Sequence, residues 1–199
     1  MKRPRQKRAE ATRHRILDTA EDLFNDRGYD ATSMNALAER SGVSIGGLYQ
    51  WFSNKEDVLT AVAERHVDVA TSVIFKRLAE NSEFDIRRQM KVVLEEALAL
   101  HRSKPELHRF LYEEAPRPPA LQQRLRAFDD VLEDRLSQHL QESGVKKQHA
   151  DLRAALIARA GQALLHEFVL DDQLPYSYDY RLDELHSTLS QLLGEMSKP

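Results

Sequence analysis

The residues of this sequence that could perform covalent chemistry lie between positions 42 and 46. Gly42-Val43-Ser44-Ile45-Gly46 has the G-x-S-x-G form, in which the serine serves as the nucleophile of α/β-hydrolases. That chemistry requires a buried strand directly before the serine, whereas the preceding segment MNALAERS has amphipathic helical periodicity. No alternation of strands and helices is indicated elsewhere in the chain. We therefore expect no catalytic residue and no enzyme, and we interpret Ser44 as the cap of a helix.

The sequence also lacks the residue patterns typical of metal and cofactor sites. Cysteine is absent, and the eight histidines show no H-E-x-x-H or comparable pairing, so we predict no metal site and no cofactor. The composition, with 41% hydrophobic and 31% charged residues, is typical of a folded protein with many surface helices. No run of about 18 apolar residues is present, so we expect no membrane span. The basic amino terminus lacks the apolar stretch of a secretory signal.

Charge is distributed unevenly along the chain. Residues 1–55 carry ten lysines and arginines against seven acidic residues, whereas residues 56–199 carry nineteen against twenty-five. Most of the positive excess lies in the first fifteen residues. A basic arm on an acidic body suits a segment that binds a polyanion, but a solvated disordered tail has the same composition. The arm by itself leaves both interpretations open.

Ser44 falls within a predicted set of short helices. Apolar residues recur at three- and four-residue spacing from about residue 12 to residue 27, and Gly28 then supplies a left-handed end to the first helix. Thr32 or Ser33 can cap a second helix, and Ser44 begins a third helix of only a few residues. Because helices this short are unstable alone, they must persist as one packed unit.

The spacing of small and apolar residues predicts that this unit is a helix-turn-helix. Ala38 is small where the next helix crosses closely, and Gly42 lies in the turn, where a positive φ angle favours glycine. Leu48 and Trp51 are expected to pack the short helices onto the first. Paired glycines are poor helix formers, so their presence favours close approach to a partner such as DNA. The exposed residues of the third helix, none of them acidic, are Ser44, Ile45, Gly46, Gly47, Tyr49 and Gln50.

The segment ATSMNALAERSGVSIGGLYQWFSNKEDVL resembles the TetR family of bacterial transcriptional regulators. The resemblance covers about residues 10–65, and its Gly-Val-Ser, Leu-Tyr-x-x-Phe and Asn-Lys-Glu elements are specific in combination. It implies an all-α protein of about nine helices, in which a long fourth helix joins an N-terminal three-helix domain to a C-terminal helical domain. We place the helix-turn-helix DNA-binding domain at residues 9–69, with the recognition helix at about 44–50, and the ligand-binding and dimerisation domain at 70–199.

The resemblance also implies roles for individual residues. Thr32 and Ser33, at the start of the second helix, would bind phosphate, and Tyr49 would touch a phosphate or a thymine methyl group. Lys55 would hold the DNA backbone at the start of the fourth helix. Glycine at position 47, where the family often carries threonine, removes a side chain from base reading. The expected DNA contacts are Thr32, Ser33, Asn35, Ser44, Ile45, Gly46, Gly47, Tyr49 and Lys55.

Beyond residue 70 the sequence predicts further amphipathic helices, of which the last two indicate dimerisation. The helix at about 150–170 is apolar on most sides, and the last helix carries Leu182, Leu185, Leu189 and Leu192 in a narrow seam. Two such helices suit either an intramolecular core or half of a four-helix dimer interface. The resemblance favours a homodimer through helices at about 150–170 and 180–195. Such a dimer would present two recognition helices to half-sites about 34 Å apart, or at a related spacing set by the dimer, on double-stranded operator DNA.

A small-molecule cavity is expected between the fifth, seventh and eighth helices, and each candidate lining residue has an ordinary core or surface alternative. Most of them are apolar, which favours an apolar or aromatic effector. The histidines among them could orient a polar ligand. The candidates are Met90, Leu94, His101, Phe110, Tyr112, Phe128, Arg159, Gln162 and His166.

These patterns predict a sequence-specific DNA-binding transcriptional regulator, most simply a repressor that a small-molecule effector releases from its operator. Such a protein is expected in the cytoplasm, associated with the nucleoid and without a membrane partner. The alternative is a small helical ligand-binding carrier or enzyme whose basic tail is incidental. Saturable, salt-sensitive binding to a DNA fragment would separate the two classes of protein.

Overall fold

The computed structural model describes residues 4–81, 85–113, 115, 117–171 and 173–198, and these form α-helices, one π-helical turn and no strand. The all-α fold predicted from the sequence is therefore confirmed. No helix within the described ranges is both long and apolar enough to cross a bilayer. The helices are α1 Pro4–Arg27, α2 Met34–Ser41, α3 Ile45–Tyr49, α4 Lys55–Glu80, α5 Ile86–Ser103, α6 Pro105–Glu113, α7 Pro119–Glu142, α8 Lys147–Leu164, the π-helical turn Leu165–Val169 and α9 Tyr178–Met196.

The chain divides into two compact units. The first comprises Met1–Asp68 and His101–Gln122, and the second comprises Val69–Leu100 and Gln123–Pro199. The first unit therefore combines the helix-turn-helix with α6, although α6 lies far beyond residue 69 in the sequence. The division predicted from the sequence, at 9–69 and 70–199, places residues 101–122 in the ligand-binding domain. In the structure these residues belong to the first unit, where α6 contacts α1.

The core of the first unit forms where the apolar faces of α1, α2, α3 and the start of α4 meet. The α1 residues predicted to form an apolar face, among them Ile16, Leu17 and Phe24, are all buried there. Leu107 of α6 joins the same core. The helix α1 begins at Pro4 rather than at about residue 12. Its start was predicted too late because the prediction relied on apolar periodicity, which begins only at Ile16, whereas the preceding helical turns are polar. Proline suits the first turn of a helix, where its missing N–H costs nothing.

The helix-turn-helix follows the predicted turn chemistry with one exception. Gly42 has φ 66° and ψ 32°, and its amide closes the end of α2 on the carbonyls of Ala38 and Glu39. Trp51 was expected to pack inside the unit, but its side chain is 39% exposed, while the adjacent Phe52 is buried. Since α3 ends at Tyr49, the chain beyond it no longer follows the helical period on which that expectation rested.

Two apolar clusters form the core of the second unit. Residues of α5, the π-helical turn and α9 make one cluster, and residues of α7, α8 and α9 make the other. The leucine seam of α9 is used here: Leu182, Leu185 and Leu189 are buried against α5 and the π-helical turn. These three residues of the seam therefore pack within the chain, as the intramolecular alternative predicts, while Leu192 is half-buried.

The helix predicted at about 150–170 is regular only as far as Leu164, where a π-helical turn follows. Arg181 of α9 is buried and closes this turn by donating from Nη1 to the Phe168 carbonyl at 3.0 Å and to the Asp171 carbonyl. A cation at the carbonyl end of a helix is favoured by the helix dipole. The side of α8 that carries Leu152 and Leu156 is exposed, so the helix is not buried on most sides within one chain.

Candidate nucleic-acid interface

The helix α3 is too short to be stable alone and is held by its ends and one anchor. The Ser44 hydroxyl oxygen accepts the Gly47 amide at 3.0 Å and so caps the helix. The Val43 amide donates to the Ala38 carbonyl at 3.0 Å, which ties the turn to α2. Leu48 is fully buried in the core of the first unit. These contacts leave one side of α3 facing solvent.

The exposed side of α3 is apolar or neutral. Ile45 and Tyr49 are 39% and 52% exposed, and Ser44, Gly46 and Gln50 are exposed as well. A Cβ added at Gly46 would meet no atom within 4 Å, so packing within the chain does not require glycine there. At position 47 a Cβ would lie 3.0 Å from the Ser44 hydroxyl oxygen, so glycine protects the cap. Packing within the chain therefore favours glycine at position 47 but does not require it at position 46.

The start of α2 lies in the same unit, and only part of it is available to a partner. Ser33 is exposed and accepts the Ala36 amide at 3.2 Å, and Asn35 is exposed. Thr32, which was expected to bind phosphate, is 2% exposed and donates its hydroxyl to the Gly28 carbonyl at 2.9 Å. Its amide donates to the Tyr29 carbonyl at 3.1 Å. The expectation for Thr32 is therefore wrong, because both of its donors are used inside the fold.

Lys55 is half-buried at the start of α4. Its Nζ donates to the Tyr29 carbonyl at 2.9 Å and lies 4.0 Å from the centre of the Tyr29 ring. These contacts fix α4 to the loop between α1 and α2. Burial raises the pKa of the Tyr29 phenol, and the carboxylate of Glu56 raises it further. Lys55 therefore stabilises the start of α4 through Tyr29, and the DNA contact expected of it stays a prediction.

The helix α6 supports the helix-turn-helix from the side of α1. Lys104, just before α6, donates from Nζ to the carboxylates of Glu21 and Asp22 at 2.9 Å each. Phe110 stacks on Tyr29 with ring centroids 5.1 Å apart. Phe110 was a candidate for a ligand pocket, but it packs against the core of the first unit. Its contact with Tyr29 connects α6 to the loop that also holds Lys55.

The other pocket candidates are divided between the two units. His101 and Tyr112 belong to the first unit together with Phe110. In the second unit, Arg159 and Gln162 are exposed, and Arg159 Nε donates to Glu133 Oε1 at 3.2 Å. Their exposure does not fit the enclosed cavity that the sequence predicted for them. The remaining four are Leu94, which is buried core, Met90 and Phe128, which are half-buried, and His166 on the π-helical turn.

The fold brings together histidines that sequence spacing did not connect. His66 Nε2 lies 3.0 Å from His108 Nδ1, and the His101 and His108 ring centroids are 3.4 Å apart. Burial lowers the pKa of His66, while Glu21 raises it and Lys104 lowers it further. The three rings come from α4, the end of α5 and α6, all within the first unit. No local motif could reveal a group assembled from three helices.

The serine of the G-x-S-x-G segment does not lie in a hydrolase elbow. The residues before it form the helix α2 and a turn, and its hydroxyl caps α3. The elbow needs a strand that ends directly at the nucleophile. Ser44 therefore has the structural role expected from the sequence.

Comparison with known proteins assigns a family to both parts of the chain. Residues 16–62 match the family model described as bacterial regulatory proteins, tetR family. Residues 85–193, more than half of the chain, match the family model described as tetracyclin repressor-like, C-terminal domain. These two matches contain, respectively, the helix-turn-helix and most of the second unit.

Curated relatives match over half of the chain or less. The chain is 40% identical over 83 residues to the HTH-type transcriptional activator FasR of Mycolicibacterium smegmatis, covering 42% of this chain and 37% of that protein. It is 35% identical over 103 residues to an HTH-type transcriptional regulator of Staphylococcus aureus, covering 50% of this chain and 53% of that protein. The matches thus span between about a third and about half of the length of these relatives.

Solved structures match over nearly the whole chain. A TetR-family transcriptional regulator from Streptomyces coelicolor aligns with a TM-score of 0.67 and 26% identity, covering 93% of this chain and 99% of that one. The fatty acid degradation regulator FadR from Bacillus halodurans aligns with a TM-score of 0.72 over 98% of this chain and 97% of that one, and its 18% identity supports the fold alone. With both family models matched in order along one fold, the chain belongs to the TetR family of bacterial transcriptional regulators.

Proposed function

We propose that this protein is a sequence-specific DNA-binding transcriptional regulator that enters the major groove with α3. The observation that carries the proposal is the exposed side of α3, where Ile45 and Tyr49 stand in solvent on a helix whose ends are held rigidly. Large apolar side chains that remain partly exposed to solvent suit contact with thymine methyl groups and sugars. Gly46 adds a place where DNA can approach the backbone closely.

Further contacts to the DNA backbone come from residues around α3. The exposed start of α2, with Ser33 and Asn35, offers backbone amides to phosphate, and Lys55 adds a positive charge at the start of α4. We add Trp51 to the expected contacts, because it is exposed directly after α3. Thr32 is removed from the set for the reasons given above.

A mobility-shift titration on a fragment from the region upstream of the gene tests the DNA-binding proposal. We expect saturable binding that weakens steeply as salt concentration rises, because phosphate contacts release counterions. Tyr49→Ala should abolish specific binding and leave a folded protein. Val69→Ala is the control, since Val69 is 47% exposed on α4, outside α3 and the proposed dimer helices, and its replacement should not affect binding. Normal binding by Tyr49→Ala would contradict the docking of α3.

We propose further that the protein works as a homodimer and that α8 contributes most of the apolar contact. Leu152 and Leu156 are 72% and 54% exposed, and the four-residue spacing places them on one face of α8. Removing a leucine side chain from water is worth about 1.5–3 kcal/mol, so this face favours association. The polar exposed face of α9 would complete the interface at about residues 180–195. Two recognition helices held at a fixed spacing would then read two half-sites.

Sedimentation velocity tests the dimer. The double substitution Leu152→Glu and Leu156→Glu should give a folded monomer, because four charges would meet across a two-fold interface. Val69→Glu is a control at another exposed apolar position, and it should leave the dimer intact. A double variant that remains dimeric would show that the contact lies elsewhere.

We also propose that the second unit binds a small apolar or aromatic effector that releases the protein from its operator. The support is chemical: Met90 and Phe128 are half-buried there, and Phe128 packs on Phe75 with ring centroids 5.7 Å apart. Screening should find apolar compounds that raise the Tm and lower operator affinity. Stabilisation by highly charged metabolites alone would contradict this chemistry.

The direction of regulation needs its own measurement, because FasR of Mycolicibacterium smegmatis is named an activator. We propose repression by a protein acting in the cytoplasm at the nucleoid. Transcription in vitro from the bound promoter should therefore fall on addition of the protein and recover on addition of the effector. An increase in transcript on addition of the protein would establish activation instead.

A further inference from the structure

We propose that His66, His101 and His108 form a binding site for one divalent transition-metal ion within the first unit. The site lies where α4, the end of α5 and α6 meet. Nothing in the proposed regulatory function requires a metal here, and the test below does not depend on DNA binding.

The spacing of His66 and His108 is close to that of two ligands on one ion. His66 Nε2 and His108 Nδ1 are 3.0 Å apart, and the ring centroids are 5.0 Å apart with 50° between the planes. Imidazole nitrogens bind Zn²⁺ at about 2.0–2.1 Å, so two of them at a tetrahedral centre lie about 3.3 Å apart. A small outward movement of both rings would therefore admit an ion in place of the shared proton.

We assign His101 as the third ligand from its contact with His108, and the site closes only when a His101 nitrogen comes within ligand distance of His66 Nε2. The His101 ring lies against that of His108 with centroids 3.4 Å apart, and these two residues offer ring nitrogens within 4.8 Å of each other. Stacked rings do not bind one ion face to face, so His101 must turn about its Cα–Cβ bond to direct a nitrogen towards the other two. Three protein ligands would leave a fourth position for water or an anion, as in open zinc sites.

The chemistry of the ligands decides which ions fit. Imidazole nitrogen suits zinc, copper, nickel and iron, whereas magnesium and calcium prefer oxygen ligands. Among the charged groups that act on His66, Glu21 and Lys104 oppose each other in sign. Glu21 is itself bound to Arg65 at 2.6 Å and to Lys104 at 2.9 Å, which holds a carboxylate beside the site without making it a ligand. The site therefore selects a transition metal over a hard cation.

Cobalt titration of the chelator-treated, tag-free full-length protein tests the proposal. We expect one equivalent of Co²⁺ per chain with the visible absorption of a nitrogen-ligated ion, displacement of Co²⁺ by Zn²⁺, and no response to Mg²⁺. Zn²⁺ should also raise the Tm, because an ion that binds only the folded state stabilises it. Absence of stoichiometric Co²⁺ binding would overturn the proposal.

Substitution of single histidines identifies the ligands. His66→Asn and His108→Asn should each weaken Co²⁺ binding at least about tenfold and remove the nitrogen-ligated spectrum. His101→Gln serves as a second probe of the same site if either of those variants fails to fold, as judged by circular dichroism. His149→Asn is the matched control, because His149 is exposed on α8, and it should bind as the unsubstituted protein does. Unchanged binding by the His66 and His108 variants, or loss of binding in the His149 variant, would overturn the assignment.

Discussion

Replacing Gly46 with alanine is expected to stabilise the free protein and to weaken its binding to operator DNA. Gly46 lies in the first turn of α3 on the exposed side, and an added Cβ would meet no atom within 4 Å. Its φ angle is not positive, so alanine can adopt the same backbone without strain. The substitution therefore acts on the free protein only by reducing the conformational freedom of the unfolded chain.

The two effects have opposite signs and measurable sizes. Glycine in a helix costs about 0.5–1 kcal/mol relative to alanine, and the first turn of a helix favours the lower end of that range. In a chain of 199 residues about 1 kcal/mol shifts the Tm by roughly 2–4 °C, so the Tm should rise by about 1–2 °C. On DNA the added methyl group would stand where the backbone approaches the groove. We expect operator affinity to fall about tenfold, which corresponds to about 1.4 kcal/mol.

Thermal unfolding followed by circular dichroism and fluorescence polarisation on a labelled operator fragment measure the two effects on one preparation. Gly42→Ala is the control, because φ is 66° there and an alanine in left-handed backbone should cost about 1–2 kcal/mol. A stabilised Gly46→Ala protein with unchanged operator affinity would refute the close approach of DNA to α3. A destabilised one would refute the description of Gly46 as unconstrained within the chain.

Three further substitutions test other parts of the molecule. Ser44→Ala removes the acceptor of the Gly47 amide, and denaturant unfolding should show a loss of about 1 kcal/mol. Leu48→Ala should cost about 2–5 kcal/mol in the same assay, because Leu48 is fully buried, and a stability equal to that of the unsubstituted protein would contradict its anchoring role. Burial and then the charge of Glu133 raise the pKa of the Asp129 carboxyl, so the stability linked to its protonated form is present below the unfolded pKa and lost as pH rises through the raised folded pKa. Asp129→Asn should therefore be more stable than the unsubstituted protein at neutral pH and should lose that advantage in acid, and a difference independent of pH would contradict this prediction.

The helix-turn-helix could be predicted because its determinants act over a few residues. The Ser33 and Ser44 caps each reach an amide three residues on, and Gly42 turns the chain directly after α2. Trp51 and Thr32 show the limit of this reasoning. Residue type suggested a buried tryptophan and an accessible threonine, and the structure exposes the first and buries the second. Exposure depends on where the chain turns after a helix ends, which residue type does not encode.

The second unit was harder to predict because an apolar helix face does not specify its partner. The leucine seam of α9 suited another chain as well as its own, and the structure packs it against α5 and the π-helical turn. Leu152 and Leu156 of α8 are exposed, and the dimer contact that we propose uses this face. Burial within one chain is decided by the sum of all helix packings, which no single periodicity contains.

The amino-acid sequence by itself determined the helical class, the turn at Gly42, the caps of α2 and α3, and the family of the chain. These depend on backbone preferences and on hydrogen bonds between neighbours in sequence. Only the tertiary structure decided that α6 packs with α1, that Phe110 stacks on Tyr29, and that three histidines from separate helices meet in the first unit. The Phe110–Tyr29 and His66–His108 contacts join residues dozens of positions apart, and their geometry exists only once the helices have packed.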